Sequence, residues 1–199
     1  MTDFWLPHLA FTLLAFLIFA RLTRTATQRG ILLAGCLLLS LAPVQGISLA
    51  LQLRTYIGDL SVASLVLLGW ATLCRFGLSH AGARDRLASL ALFAGLAVLL
   101  YPAALGLSYA DPYQLGFEPR PMLLVLGLLC AVLILQRSWL GALTLVLATL
   151  AFALRLGASE NYWDYLIDPY LALYSFGALL MAGGRWMLIR LSTRTRNLA

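Results

Sequence analysis

The sequence predicts an all-α polytopic membrane protein: a bundle of seven transmembrane helices, N-terminus outside, C-terminus in the cytoplasm. Three observations predict it. The 199 residues are 62% hydrophobic and 11% charged, with mean hydropathy +0.90; a soluble domain carries about 25% charge. Seven apolar runs approach the length that crosses a bilayer. The charges also sort between alternate connections. Of 14 arginines, 11 fall on one side, and seven of the eight carboxylates fall on the other.

A span needs about 20 apolar residues, with roughly 17 as the lower limit. The runs are Phe4 to Ala20, Ile31 to Leu53, Leu60 to Cys74, Leu87 to Leu107, Met122 to Gln136, Trp139 to Leu154 and Tyr170 to Ile189. The first begins with Pro7 and His8, so six spans plus an interfacial N-terminal helix is the alternative. The second contains Pro43 and Gln45 and the fourth Pro102, which predict kinks within continuous helices. Thr144 with Ala148, and Ala178 with Ala182, have small-residue spacing suited to close packing. No polar stretch is long enough for a soluble domain, so residues 1–199 form a single integral membrane domain.

Orientation follows the rule that arginines and lysines stay in the cytoplasm. Arg21, Arg24, Arg29, Arg75, Arg84, Arg86, Arg137, Arg185, Arg190, Arg194 and Arg196 fall together on one side. Only Arg54, Arg120 and Arg155 fall on the other, with Asp3, Asp59, Asp111, Glu118, Glu160, Asp164 and Asp168; Asp85 alone lies among the first set. The N-terminus lacks a basic stretch before its apolar run, so it reads as a retained helix and not a signal peptide. The net charge of +6, all arginine and no lysine, then matches an anionic inner-leaflet surface and not a nucleic acid. The protein is expected in a bacterial inner membrane, with lipids as partners.

All eight tyrosines, among them Tyr101, Tyr113, Tyr162 and Tyr165, map to the outer side, whereas Trp139 and Trp186 mark the inner one. Tyrosine and tryptophan belts normally occupy both interfaces, so the asymmetry directs attention outward. Two outer loops concentrate polar chemistry. Ser108 to Pro121 holds Asp111, Glu118 and Arg120, with Pro112, Pro119 and Pro121 expected to prevent a helix. Gly157 to Tyr170 holds Glu160, Asp164 and Asp168 at i, i+4, i+8, beside Tyr162, Trp163 and Tyr165. That spacing predicts an amphipathic surface helix stopped by Pro169, with three carboxylates on one face. Carboxylates with aromatic neighbours suit sugar hydroxyls and ring faces; they could equally be solvated loop charges.

Arg54, Arg120 and Arg155 stand against the charge rule. Arginine forms bidentate pairs with carboxylate or phosphate, so they either pair with Asp59, Asp111 or Asp164, or hold an anionic headgroup. Gly58 permits a tight turn before the third segment, and Asp59 or Ser61 can cap it. This turn, Arg54 to Ser61, resembles the membrane part of sulfatase-fold lipid-headgroup transferases, over those residues alone. The chain has no room for their catalytic domain.

No Walker A, HExxH or GxSxG motif occurs. His8 and His80 are expected on opposite sides, and Cys36, Cys74 and Cys130 form no CxxC. No catalytic residue, metal site or cofactor is therefore assigned. The ligand-binding candidates are Arg54, Asp59, Asp111, Glu118, Arg120, Arg155, Glu160, Trp163, Asp164 and Asp168. The expected function is cell-envelope biogenesis: binding a lipid headgroup or lipid-linked sugar at the outer face, as the non-enzymatic partner of another membrane protein. A scaffold subunit of a larger complex and a small transporter or flippase are the alternatives. The spans lack a mid-depth acid, which disfavours ion-coupled transport.

Overall fold

The computed structural model describes residues 5–107 and 109–196, with side chains as far as Arg190. Asp3, Phe4 and Ser108 lie outside the described residues, as do the side chains of Arg194 and Arg196. The described chain is helical apart from one two-residue ladder. Its helices are α1 (Trp5–Phe19), α2 (Ala26–Leu41), α3 (Leu49–Ile57), α4 (Val62–Phe76), α5 (Ala83–Ala104), α6 (Pro119–Leu135), α7 (Trp139–Ala153), the single turn α8 (Trp163–Leu166) and α9 (Pro169–Arg196).

Three helices are long and apolar enough to cross a membrane: α1 with its 3-10 extension to Leu22, α5, and α9 from Pro169 to Arg190. The long helices α2, α4, α6 and α7 have 16, 15, 17 and 15 residues. At about 1.5 Å per residue they measure about 22–26 Å, short of an apolar core of about 30 Å.

Local sequence sets most boundaries. Thr25 and Gln28 form a reciprocal capping box at the start of α2. Ser61 accepts the Ser64 N–H and caps α4. Gly77, at φ +75°, ends α4, and the Leu78 N–H reaches back to the Leu73 carbonyl. Pro119 and Pro121 do not prevent a helix, as the sequence suggested. They lie in the first turn of α6, where a missing N–H leaves no bond unmade, so α6 begins before Met122.

The second apolar run is not one helix. It breaks after Leu41 into a hairpin in which Pro43–Val44 pairs antiparallel with Ile47–Ser48. Gln45 and Gly46 have φ of 53° and 85°, the conformation that a two-residue hairpin turn demands. Pro43 and Gln45 therefore produce a chain reversal and not the expected kink. The Leu49 N–H bonds to the Ala42 carbonyl, and Gln52 Nε2 donates to the Val44 carbonyl, which fixes α3 against the turn.

Side-chain contacts establish that the long helices alternate in direction. Phe16 of α1 stacks on Phe76 at the end of α4, and the Arg29 guanidinium donates to the Arg75 carbonyl. At the opposite end of α1, His8 meets Ser40 of α2 at 3.2 Å. Asp85 at the start of α5 accepts from Ser138 Oγ and the Leu140 N–H, capping α7. Six carboxylates therefore share one end with the described tyrosines: Asp59, Asp111, Glu118, Glu160, Asp164 and Asp168. Arg21, Arg24, Arg29, Arg75, Arg84, Arg86 and Arg137 gather at the other.

The core has two parts. The larger joins α4 through α9 around Phe93, Leu145 and Tyr162, with Ala148 at a close contact. The smaller joins α1 and α2 around Phe16, Ala20 and Cys36, with Phe76 against it. Thr144 and Ala148 are fully buried on α7, as their spacing suggested, while Ala178 and Ala182 remain partly exposed.

Candidate functional site

At the acidic end, α1 and α3 face α5 and the 157–169 segment across a cavity of ≈ 380 Å³. α1 packs on α2, α3 and α4, α5 packs on α7 and α9, and α4 also packs on α7 and α8, so the cavity lies beside α4 with α1 and α3 on one side and α5 on the other. Its walls are mostly apolar, from Leu6, Ala10, Phe11, Leu53, Leu65 and Leu100. Arg54, Asp59, Tyr101, Tyr113, Ser159, Asp164 and Asp168 supply its polar edge.

The segment after α7 does not form the expected surface helix. Only Trp163–Leu166 is helical, and Ile167 is extended at φ −151°. Glu160, Asp164 and Asp168 consequently do not share a helical face. Tyr162, Trp163, Tyr165, Leu166 and Ile167 are buried to 4% exposure or less, so they plug the bundle and do not lie in an interface. Tyr162 stacks on Phe152, with ring centres 4.5 Å apart, and its hydroxyl meets Thr149 Oγ1. Trp163, expected at headgroup level, is internal, and its indole N–H donates to the Pro112 carbonyl at 2.8 Å.

Asn161, which no sequence signal singles out, joins the two loops of the acidic end. It is 1% exposed, donates from Nδ2 to the Tyr113 carbonyl, and accepts the Trp163 N–H. The Gly116 carbonyl accepts the Tyr162 N–H. A Cβ on Gly116 would lie 1.9 Å from Asn161 Oδ1, so only glycine permits this approach. The Tyr165 hydroxyl holds the neighbouring turn through the Gly157 N–H and the Gly157 and Ser159 carbonyls. Serine–aspartate–tyrosine bonding then completes the rim: Asp164 accepts from Ser159 Oγ and, at 3.1 Å, from the Tyr113 hydroxyl. Burial first, and then the Asp164 carboxylate, push the Tyr113 phenol up to about 12.

Asp168 is structural in a way the loop reading did not anticipate. It is 4% exposed. Its Oδ2 accepts from the Ser61 N–H at 2.9 Å, from Ser61 Oγ at 2.8 Å and from Ser64 Oγ; its Oδ1 accepts the Leu171 N–H at 2.8 Å. One carboxylate thus caps α9 and braces the start of α4, where helix dipoles favour negative charge.

The three arginines at the acidic end, Arg54, Arg120 and Arg155, do not form a set. Arg54 grips Asp59 with two bonds of 2.6 Å, Nε to Oδ1 and one terminal nitrogen to Oδ2. Arg120 and Arg155 are exposed, belong neither to an ion pair nor to the cavity wall, and Arg155 has φ 50°. Asp111 accepts the Tyr113 N–H at the start of a 3-10 turn, while Glu118 and Glu160 are exposed. Of the sequence candidates, the cavity brings together Arg54, Asp59, Asp164 and Asp168. Tyr101, Tyr113 and Ser159 join them from signals too common to stand out in a sequence.

Among the described residues no cluster of His, Cys, Asp and Glu could hold a metal ion. The sequence matches no protein-family model, no curated protein and no solved structure.

Proposed function

We propose that the chain is a bacterial inner-membrane protein that crosses the bilayer seven times, with its acidic end outside and its arginines inside. Its proposed role is in envelope biogenesis, holding the head of a lipid or lipid-linked sugar for an enzyme partner. One observation carries the reading: a cavity with apolar walls and a polar edge lies between α1, α3 and α5 at the acidic end. An amphiphile fits such a site, its chain along α1 and α5 and its head near Asp164. Most of the wall offers apolar contact, and a few polar groups fix orientation, as in small-molecule sites generally.

The short helices α2, α4, α6 and α7 are compatible with seven crossings if their capped ends and adjoining loops lie at headgroup depth. The test is the lipid retained by purified protein, measured by native mass spectrometry. Ala10→Trp, which fills the cavity from α1, is expected to abolish a retained species that the wild type carries. Equal retention in both proteins refutes the cavity site.

The scaffold reading has its own support in an apolar groove of ≈ 550 Å³ between α6 and α7, lined by Gly127, Ala131 and Val146 among others. A partner protein that survives purification, with no lipid lost in Ala10→Trp, would favour it.

A further inference from the structure

We infer that the cavity selects an amphiphile whose head carries an ammonium group, and not a phosphate; this rests on the cavity being the binding site proposed above. The cavity presents one arginine and three aspartates. Arg54 has both carboxylate oxygens of Asp59 on its guanidinium, so its charge is already matched, although three of its five N–H donors remain open. Asp168 is satisfied by backbone and hydroxyl donors, but no cation pairs with it.

Asp164 differs from Asp168 in being exposed. The Ser159 and Tyr113 hydroxyls hold its carboxylate at the mouth, and no cation pairs with it among the described residues. It is therefore an oriented acceptor with lone pairs still open. A carboxylate carries about four acceptor sites, and an ammonium offers three donors and no acceptor. Such a head would supply the charge that the cavity lacks. A phosphate would share Arg54 with Asp59 and sit beside two further carboxylates. A sugar could bond to Asp164 and Tyr113 but would leave the charge uncompensated. The apolar interval between α1 and α5 suits the chain of the same molecule, so an amine alone should bind weakly.

The experiment uses the full chain in non-ionic polyoxyethylene micelles and three probes with one chain length: dodecylamine, dodecyl phosphate and dodecyl maltoside. Binding is read by native mass spectrometry for the wild type, Asp164→Asn, Ala10→Trp and, as a second filling variant, Ala104→Trp. Dodecylamine should bind best, and Asp164→Asn should weaken it about tenfold, the loss of one charge-assisted hydrogen bond, and weaken dodecyl maltoside less, because an amide still bonds a hydroxyl. Preference for dodecyl phosphate or dodecyl maltoside overturns the inference, as does an unchanged dodecylamine affinity in Asp164→Asn. If the heads bind alike and both tryptophan variants block all of them, the cavity stands and the charge selection falls. If neither tryptophan variant blocks any probe, while both melt like the wild type, the cavity reading itself falls.

Discussion

Replacing Asp168 by alanine should be the most destabilising single change at the acidic end. The substitution orphans two backbone donors, the Ser61 and Leu171 N–H groups, inside a site that is 4% exposed. Each buried unsatisfied donor costs about 1–3 kcal/mol. Loss of the anion from two helix starts adds about 0.3–1 kcal/mol at each. The Ser61 and Ser64 hydroxyls can rotate, so they are left out of the sum. The expected loss is about 3–8 kcal/mol, a large part of a typical stability of about 5–15 kcal/mol. At about 2–4 °C per kcal/mol for a chain of this size, Tm should fall by about 6–30 °C. Asp168→Asn keeps one acceptor oxygen and should fall by less than half as much. Thermal unfolding of both variants in one detergent provides the assay. An Asp168→Ala protein that melts within about 2 °C of the wild type would show that the bracing of α4 against α9 contributes little.

Gly116→Ala should separate the two outer loops, because its Cβ would strike Asn161; Trp163 emission should shift to the red, and unshifted emission would mean the loops yield without parting. Tyr113 titrates near 12 because of burial and then Asp164. Its raised pKa stabilises the folded state below pH 10, and that contribution disappears as pH rises from the ordinary phenol value of 10.0 toward 12. Asp164→Asn should lower the Tyr113 value, read by phenolate absorbance. Gly46→Val forces a β-branched residue to φ 85° and should cost about 1–2 kcal/mol in detergent unfolding. Asp85→Ala removes the acceptor that caps α7 and should cost about 0.5–2 kcal/mol.

The sequence made most helices legible because apolar length and caps are local signals. Ser61, one of the two caps expected for the third segment, does cap it, and α4 runs within two residues of the expected Leu60 to Cys74, whereas α2 begins five residues before the expected Ile31. The break at Ala42 was not legible as a hairpin. Pro43 and Gln45 fit a kinked span, and only the positive φ of Gln45 and Gly46 distinguishes the two. The 157–169 segment was misread for a different reason. The i, i+4, i+8 acids imitate a helix face, but Asn161, Tyr165 and Asp168 make nonlocal bonds that outweigh that periodicity. Arg54 and Asp59 are close in sequence, so their pairing is among the alternatives that the sequence offers; the Asp168–Ser61 bond, 107 residues apart, is not.

The most direct test of an outward-facing cavity is labelling by a membrane-impermeant maleimide in intact cells. It requires a background in which Cys36, Cys74 and Cys130 are replaced, carrying either Ala158→Cys on the cavity wall or Arg86→Cys at the basic end. Ala158→Cys should label before lysis and Arg86→Cys only after it. Labelling of Arg86→Cys in intact cells, with Ala158→Cys silent until lysis, would reverse the orientation and contradict a site facing outward.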